Sequence, residues 1–380
     1  MNDAVENSLK LFEPFYDIVN DPFEYARQWK TKTGRKVCGY FCSYGPEELI
    51  WAAGVLPFRI FGTSGNISMA DTHLQAYCCG LARGGLEDAL SGKLNFLDGT
   101  VFPHTCDSIQ RLSDIWRLNT DYSFHGDIVL PVKLNTQSAR DYTVAVFEKF
   151  RQDLEKGFDV DLSTQKLADA VTLFNEIRSR MQNLDTIRSE NPSAICGSDM
   201  HALVKASMMM DRSDFLAKLS ELDQAFTNLA ANPKKPDKRL LLSGGLCNMP
   251  DVYQTIESAG GAVVGDDLCT GSRYFGGQIE VEEDPLTAIA QRYVERAACP
   301  AKHAGLRSRG EHLVNLVRQK KADGVIFIML KFCDPHAFDY PYLRDMLTAE
   351  GIPSTLFEIE DQQSAAGQFR TRCEAFIEMI

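Results

Sequence analysis

Short apolar runs alternate with amphipathic segments near the amino terminus and again near the carboxyl terminus, and this double alternation constrains the fold more than any other feature. In the first set KVCGYF (Lys36 to Phe41), LPFRIFG (Leu56 to Gly62), FLDGTVFP (Phe96 to Pro103) and DIVLPV (Asp127 to Val132) read as strands. Pro46-Glu47-Glu48 opens a helix ELIWAAG over 48–54, and helices are predicted at about 74–91 and 107–118. Proline and acids suit a first helical turn, where the amides are free and the macrodipole is positive. RLLLSGG, GAVVGDD, GVIFIML and STLFEIE make the second set, with helices predicted over 251–259, twice between 285 and 321, over about 340–350 and at the terminus. Strands alternating with helices build a parallel sheet covered on both faces. The predicted fold class is α/β, with two doubly wound (Rossmann/flavodoxin-like) parallel-sheet lobes and an intervening helical section.

The middle of the chain supplies that section. From Ser138 to Asn232 the periodicity turns helical, as in ARDYTVAVFEKFRQDLEKGF and DFLAKLSELDQAFTNL, and ANPKKPDK (Ala231 to Lys238) reads as a linker. A chain of 380 residues exceeds the size at which one core usually stops growing. The expected organisation is an amino-terminal α/β lobe with a leading helix (1–137), a helical section (138–235) and a carboxyl-terminal α/β lobe (236–380).

Charge and hydropathy narrow the partners. A net charge of −12 disfavours nucleic acid, whose binding rests on surplus Lys and Arg. No apolar run approaches the roughly 20 residues of a membrane span, and the opening Met-Asn-Asp-Ala-Val-Glu lacks the basic and apolar regions of a signal peptide. The expectation is a cytoplasmic protein with neither a nucleic-acid nor a membrane partner. In a reducing compartment the 11 cysteines are buried small hydrophobes, or thiols that bind metal or do redox chemistry.

Position separates some cysteines from the rest. Ligands of open parallel sheets sit beyond the carboxyl ends of the strands. Cys42, Cys106 and Cys333 occupy such ends, Cys269 follows GAVVGDD, and Cys247 lies just past RLLLSGG. Cys78 and Cys79, in QAYCCGLARGGLEDAL, fall at or near a helix start. There is no CxxC pair and no HExxH, so a metal site would have to be assembled from distant loops. Asp107 and Asp334 read as caps of the following helices. Glu47 is either a carboxylate for proton movement or a favourable first-turn charge. His104 and His336 flank strand-end cysteines as candidate proton donors or partners of sulfur. Gly244-Gly245 and Gly260-Gly261 read as tight turns, and Trp51 and Trp116 as core.

GYFCSYGPEELIWAAGVLPFRIFG, YCCGLARG, FLDGTVFPHTCDSIQRLSDIW, GDDLCTGSRYF and MLKFCDPHAFDYPYLRDMLTAEGIPSTLFEIE together resemble the 2-hydroxyacyl-CoA dehydratase and benzoyl-CoA reductase family, from about residue 34 to the carboxyl terminus. The resemblance implies a 4Fe-4S cluster held by three cysteines, with one iron left open or bound to a non-protein ligand. The family's positions correspond to Cys79, Cys106 and Cys333, with Cys42 as an alternative ligand and Cys78 next to the first. It also implies an oxygen-sensitive subunit paired with a homologous second subunit, fed single electrons by an ATP-dependent iron–sulfur activator. The acyl-CoA substrate would react through a ketyl-type radical. Read from the residues alone, Arg273 of CTGSRY with the Gly271 backbone either holds coenzyme A phosphates or makes a structural salt bridge. GDDLCTGSRYF and the CPAKH around Cys299 point to the small iron–sulfur subunit of benzoyl-CoA reductase. The alternative is a 2-hydroxyacyl-CoA dehydratase subunit, a lyase that removes water and recycles the electron. A double-cubane protein using Cys42, Cys79, Cys106, Cys269, Cys299 and Cys333, and a non-catalytic thiol-rich binding protein, are the further readings.

Overall fold

The computed structural model describes residues 10–63, 65–227, 238–245, 250–280, 284–296, 299–305, 307–359 and 366–380. Two helices lead the chain: α1 (Glu13–Asn20), and α2 (Pro22–Thr33), which Asp21 caps through the Glu24 amide and Gly34 closes in left-handed conformation. The first sheet section runs β1 (Val37–Tyr40), α3 (Glu47–Ala52), β2 (Leu56–Arg59), α4 (Gly80–Leu90), β3 (Gly99–Pro103), α5 (Asp107–Asn119) and β4 (Phe124–Ile128). Its strands are parallel in the order β2-β1-β3-β4. Helices α6 (Gln137–Phe158), α7 (Thr164–Glu190), α8 (Gly197–Met209) and α9 (Arg212–Thr227) follow.

The second section runs β5 (Lys238–Gly244), α10 (Pro250–Ser258), β6 (Gly261–Asp267), α11 (Ser272–Phe275), α12 (Pro285–Glu295), α13 (Ser308–Lys320), β7 (Gly324–Leu330), α14 (Asp334–Ala349), β8 (Ser354–Ile359) and α15 (Ala366–Met379). Its strands are parallel in the order β6-β5-β7-β8, the topology of the first sheet repeated. Each sheet therefore has its topological switch between its first and third strands, where a crevice opens beyond the strand ends. The α/β class and the two parallel sheets are as the sequence predicts.

The helical section does not stand apart. Phe147 and Phe150 of α6 and Phe174 of α7 share a core with Tyr40, Leu49 and Tyr293, which come from both sheet sections. Helices α8 and α9 share another with Phe12, Phe15 and Phe275. Such shared burial, at roughly 25 cal/mol per Å² of apolar surface, holds the sections together as one unit.

Three local predictions need correction. Strand β4 spans Phe124–Ile128 rather than 127–132: it starts in a polar edge segment with little apolar signal, and Pro131, with no amide hydrogen, lies beyond it. Helix α14 begins at Asp334 rather than about 340, because Pro335 sits in the first turn, where a missing N–H costs nothing, and Pro341 is carried inside the helix. The helix expected from about 74 begins at Gly80. Cys247 and residues 231–237 of the predicted linker lie outside the described residues.

Candidate metal centre

Three cysteines occupy the same local position in three different segments. Cys79 is the N-cap of α4, Cys106 of α5 and Cys333 of α14, and none spends its sulfur on a full cap hydrogen bond. The cap positions predicted for Asp107 and Asp334 thus belong to the cysteines, and the aspartates are the first helical residues. There a carboxylate still favours the positive helix end. Cys106 stands three residues past the end of β3 (103 to 106) and Cys333 three past the end of β7 (330 to 333), so the two lobes place equivalent thiols at equivalent strands. All three cysteines line one cleft of about 440 Å³, together with Thr105, Lys302, Arg309 and Phe338.

Packing fixes each of these helices against the strand ends. Phe41, just past β1, stacks on Phe102 of β3 at 5.0 Å and meets Trp116 of α5 edge-on at 5.3 Å. Aromatic pairs of this kind contribute about 0.5–1.5 kcal/mol each beyond their burial. The same Phe41 ring abuts Gly85 of α4, where an added Cβ would lie 2.7 Å from a ring carbon. In the second lobe Phe327 of β7 packs edge-on against Tyr340 of α14 at 5.0 Å. Gly85→Ala is therefore expected to displace Phe41 and the α4 start that carries Cys79. A loss of about 1–3 kcal/mol, read by chemical denaturation, is the expected result.

Electrostatics at the cleft oppose free thiolates and favour bound ones. Burial pushes the Cys106 thiol up to about 12, against a downward pull from the amides of Ile109 and Ser108. Cys79 is likewise raised by burial and eased by the Ala82 and Leu81 amides. Burial raises Cys333 too, and the charges of Cys79 and Cys106 add to the rise, so each sulfur lies within the field of the others. Metal ligation would replace the protons of these thiols, and the amides at the three helix starts would then face anionic sulfur. His336 Nδ1 lies 3.2 Å from Cys333 Sγ. Burial holds its imidazole down at about 4, so it is neutral at neutral pH. Lys302, buried with its ammonium donating to the Leu130 carbonyl at 3.0 Å, feels the charges of Cys42, Cys299 and Cys106.

Cys42, in left-handed conformation at φ 56°, does not line this cleft but accepts from the Thr105 hydroxyl at 3.3 Å, directly behind it. Cys269 and Cys299 share a hydrogen bond that holds the Cys269 thiol well below its usual range, and Cys299 feels the charge of Cys42. Cys78 is buried beside Cys79 without facing the cleft. Among the described residues no three His, Cys, Asp or Glu side chains close tightly enough around one point to hold a single ion.

The other predicted residues lie elsewhere. Glu47 is buried, accepts from Arg212 at 2.6 Å and from the Tyr40 and Tyr274 hydroxyls at 3.2 Å each, and does not line the cleft. Its neighbour Glu48 is paired with Arg178 and Arg292. Burial pushes the Glu48 carboxyl up, but the two guanidiniums outweigh burial and hold it below the usual range. This acid pair ties α3 to α7, α9 and α12. Arg273 is buried against Asp267 at 3.0 Å and donates to the Gly244 and Asp267 carbonyls. It is spent on a buried carboxylate rather than offered to a phosphate. His104 turns to Asp127 at 2.8 Å, away from the thiols. Thr105 and Arg309 of the cleft have no distinguishing signal in the sequence; Lys302 sits inside the CPAKH segment.

The chain is 28% identical over 376 residues to the (R)-phenyllactyl-CoA dehydratase beta subunit of Clostridium sporogenes, covering 99% of this chain and 100% of that one. It is 27% identical to the lactoyl-CoA dehydratase beta subunit of Anaerotignum propionicum (96% and 97% covered) and 27% identical to one of the subunits of benzoyl-CoA reductase from Thauera aromatica (94% of each). A family model described as 2-hydroxyglutaryl-CoA dehydratase, D-component, matches residues 42–380, which include strands β2 to β8 and all three cleft cysteines. The repeated sheet, the thiols at its switch points and this nearly full-length match place the chain in the 2-hydroxyglutaryl-CoA dehydratase D-component family.

Proposed function

We propose that this chain is a cluster-bearing subunit of a 2-hydroxyacyl-CoA dehydratase, with Cys79, Cys106 and Cys333 as the ligands. The observation that carries the reading is the convergence of three uncapped N-cap thiols, from both lobes, on one cleft. The benzoyl-CoA reductase assignment drawn from GDDLCTGSRYF and CPAKH is not supported: the matched family model is a dehydratase component, as are two of the three relatives named above. The lyase alternative fits these findings better.

The donor set fits a 4Fe-4S cluster, since three soft thiolates leave one iron without a protein ligand. When bound, such a cluster supplies a low-potential electron for radical chemistry on an acyl-CoA thioester. The chain's own residues do the rest. His336, neutral and buried, is placed to donate Nδ1–H to the Cys333 sulfur, which stabilises the more negative state. Lys302 lines the same cleft, and although burial lowers its pKa, the charges of Cys42, Cys299 and Cys106 favour its protonated form. Phe332, Phe338 and Tyr342, all exposed at the mouth of the cleft, offer an apolar rim for a homologous partner subunit. An ATP-dependent activator is proposed as the electron donor on the family resemblance.

Turnover separates the branches. With anaerobic protein, partner subunit and reduced activator, a 2-hydroxyacyl-CoA is expected to lose water with no net consumption of electrons. Stoichiometric electron consumption with ring reduction of benzoyl-CoA would overturn the dehydratase reading. His336→Gln is expected to lower this activity by about 10–100-fold and to shift the cluster's reduction potential, read by redox titration. The Cys42, Cys269 and Cys299 group beside the cleft favours one second reading, a larger double-cubane cluster on six thiols. About eight irons per chain would favour it over a single cubane.

A further inference from the structure

We propose that a second pocket, at the carboxyl end of β2, binds a small organic monocarboxylate through Arg59. The pocket has a volume of about 210 Å³ and shares no lining residue with the cysteine cleft. Arg59 ends the edge strand β2 and is only 2% exposed. Seven arginines are buried among the described residues, and six of them are ion-paired: Arg178 and Arg292 with Glu48, Arg188 with Asp266, Arg212 with Glu47, and Arg273 and Arg309 with Asp267. Arg59 is the exception. Its contacts are the Tyr40 and Phe61 ring faces, 5.6 and 5.8 Å from the guanidinium carbon, and its Nε has no hydrogen-bond partner. Its charge is felt at Cys269 and Tyr40, but neither hydrogen-bonds to it.

A guanidinium carries five donors and cannot lose its charge, so burial without an acceptor is costly unless an anion completes the site. The surroundings specify the anion. Val19, Phe23, Phe58, Phe61 and Met209 make an apolar wall that suits a hydrocarbon body. The planar fork of Arg59 matches the two oxygens of a carboxylate. Asp88, Lys93 and Lys205 also line the pocket, with Lys93 paired to Asp88 at 3.1 Å and Lys205 over the Phe61 ring at 5.1 Å, so the apolar wall rather than the charge balance favours a hydrocarbon acid over phosphate. The volume lies below the roughly 300 Å³ at which drug-sized ligands begin to fit, which limits the occupant to a small acid.

Isothermal titration calorimetry on the anaerobically purified chain tests the assignment, with phenylacetate and 3-methylbutanoate as probes and phenylacetamide and inorganic phosphate as controls. Saturable binding of a carboxylate is expected, at least tenfold weaker in Arg59→Gln and absent with the neutral amide. Binding of neither acid, equal binding in the variant or by the amide, or tighter binding of phosphate would overturn it. Because Arg59 is buried, the variant is accompanied by a wild-type crystal soaked in 4-bromophenylacetate. Bromine density in the pocket beside Arg59 is expected, and ordered water alone at the guanidinium would refute the proposal.

Discussion

Replacing Cys333 by alanine is expected to reduce dehydration by more than about 100-fold, because losing a ligand should exceed the 10–100-fold cost of losing a partner behind one. The fold should survive. Cys333 is a partly buried N-cap whose sulfur makes no full cap hydrogen bond, so its loss removes little packing. Helix α14 stays anchored through Tyr340 on Phe327. Circular dichroism and the denaturation midpoint of Cys333→Ala should therefore remain near wild type while turnover collapses. Cys106→Ala is expected to behave alike, and Cys42→Ala much more mildly, because Cys42 lies behind Thr105 rather than on the cleft. A Cys42→Ala loss as large as that of Cys333→Ala would move the ligand set.

Arg212→Met should show the opposite pattern, a large loss of stability. Arg212 is fully buried, pairs with Glu47 at 2.6 Å and also donates to the Met210 and Pro57 carbonyls. Removing it leaves the Glu47 carboxylate buried without its cation, and breaking a buried pair in this way costs about 3–5 kcal/mol. Denaturant unfolding of the anaerobic protein measures the loss. Glu47→Gln should be milder, since the amide still accepts from the two tyrosine hydroxyls, and it should leave the metal content of the folded protein unchanged. If Glu47→Gln abolished turnover at full stability and full metal content, Glu47 would have to reach the substrate, contrary to its placement.

Much of the fold is legible in the sequence because the relevant signals are local. GVIFIML is apolar along its whole length and bounded by turn residues, and it forms β7 at the predicted residues, Gly324–Leu330. A strand-end cysteine is legible for the same reason, since strand ends fix where a residue lies on a parallel sheet. Strand β4 is harder to place, because SFHGDI is half polar and pairs only at one edge of the sheet. The role of Pro46-Glu47-Glu48 is illegible for a different reason. Its meaning depends on Arg178, Arg212 and Arg292, which lie 130, 165 and 244 residues from their partners (178 − 48, 212 − 47, 292 − 48). No local pattern announces such a pairing. Arg59 is hidden likewise, since a lone arginine at the end of LPFR gives no sign that its counter-charge is missing.

Cys79, Cys106 and Cys333 are proposed to hold one cluster together between the lobes. Iron and sulfide quantitation with electron paramagnetic resonance, on the anaerobically purified wild type and the three single alanine variants, tests it most directly. About four irons per wild-type chain and a loss or degradation of the cluster in each variant are expected, with Cys42→Ala retaining it. A full complement of iron and an unchanged spectrum in all three variants would rule out these three cysteines as the ligands.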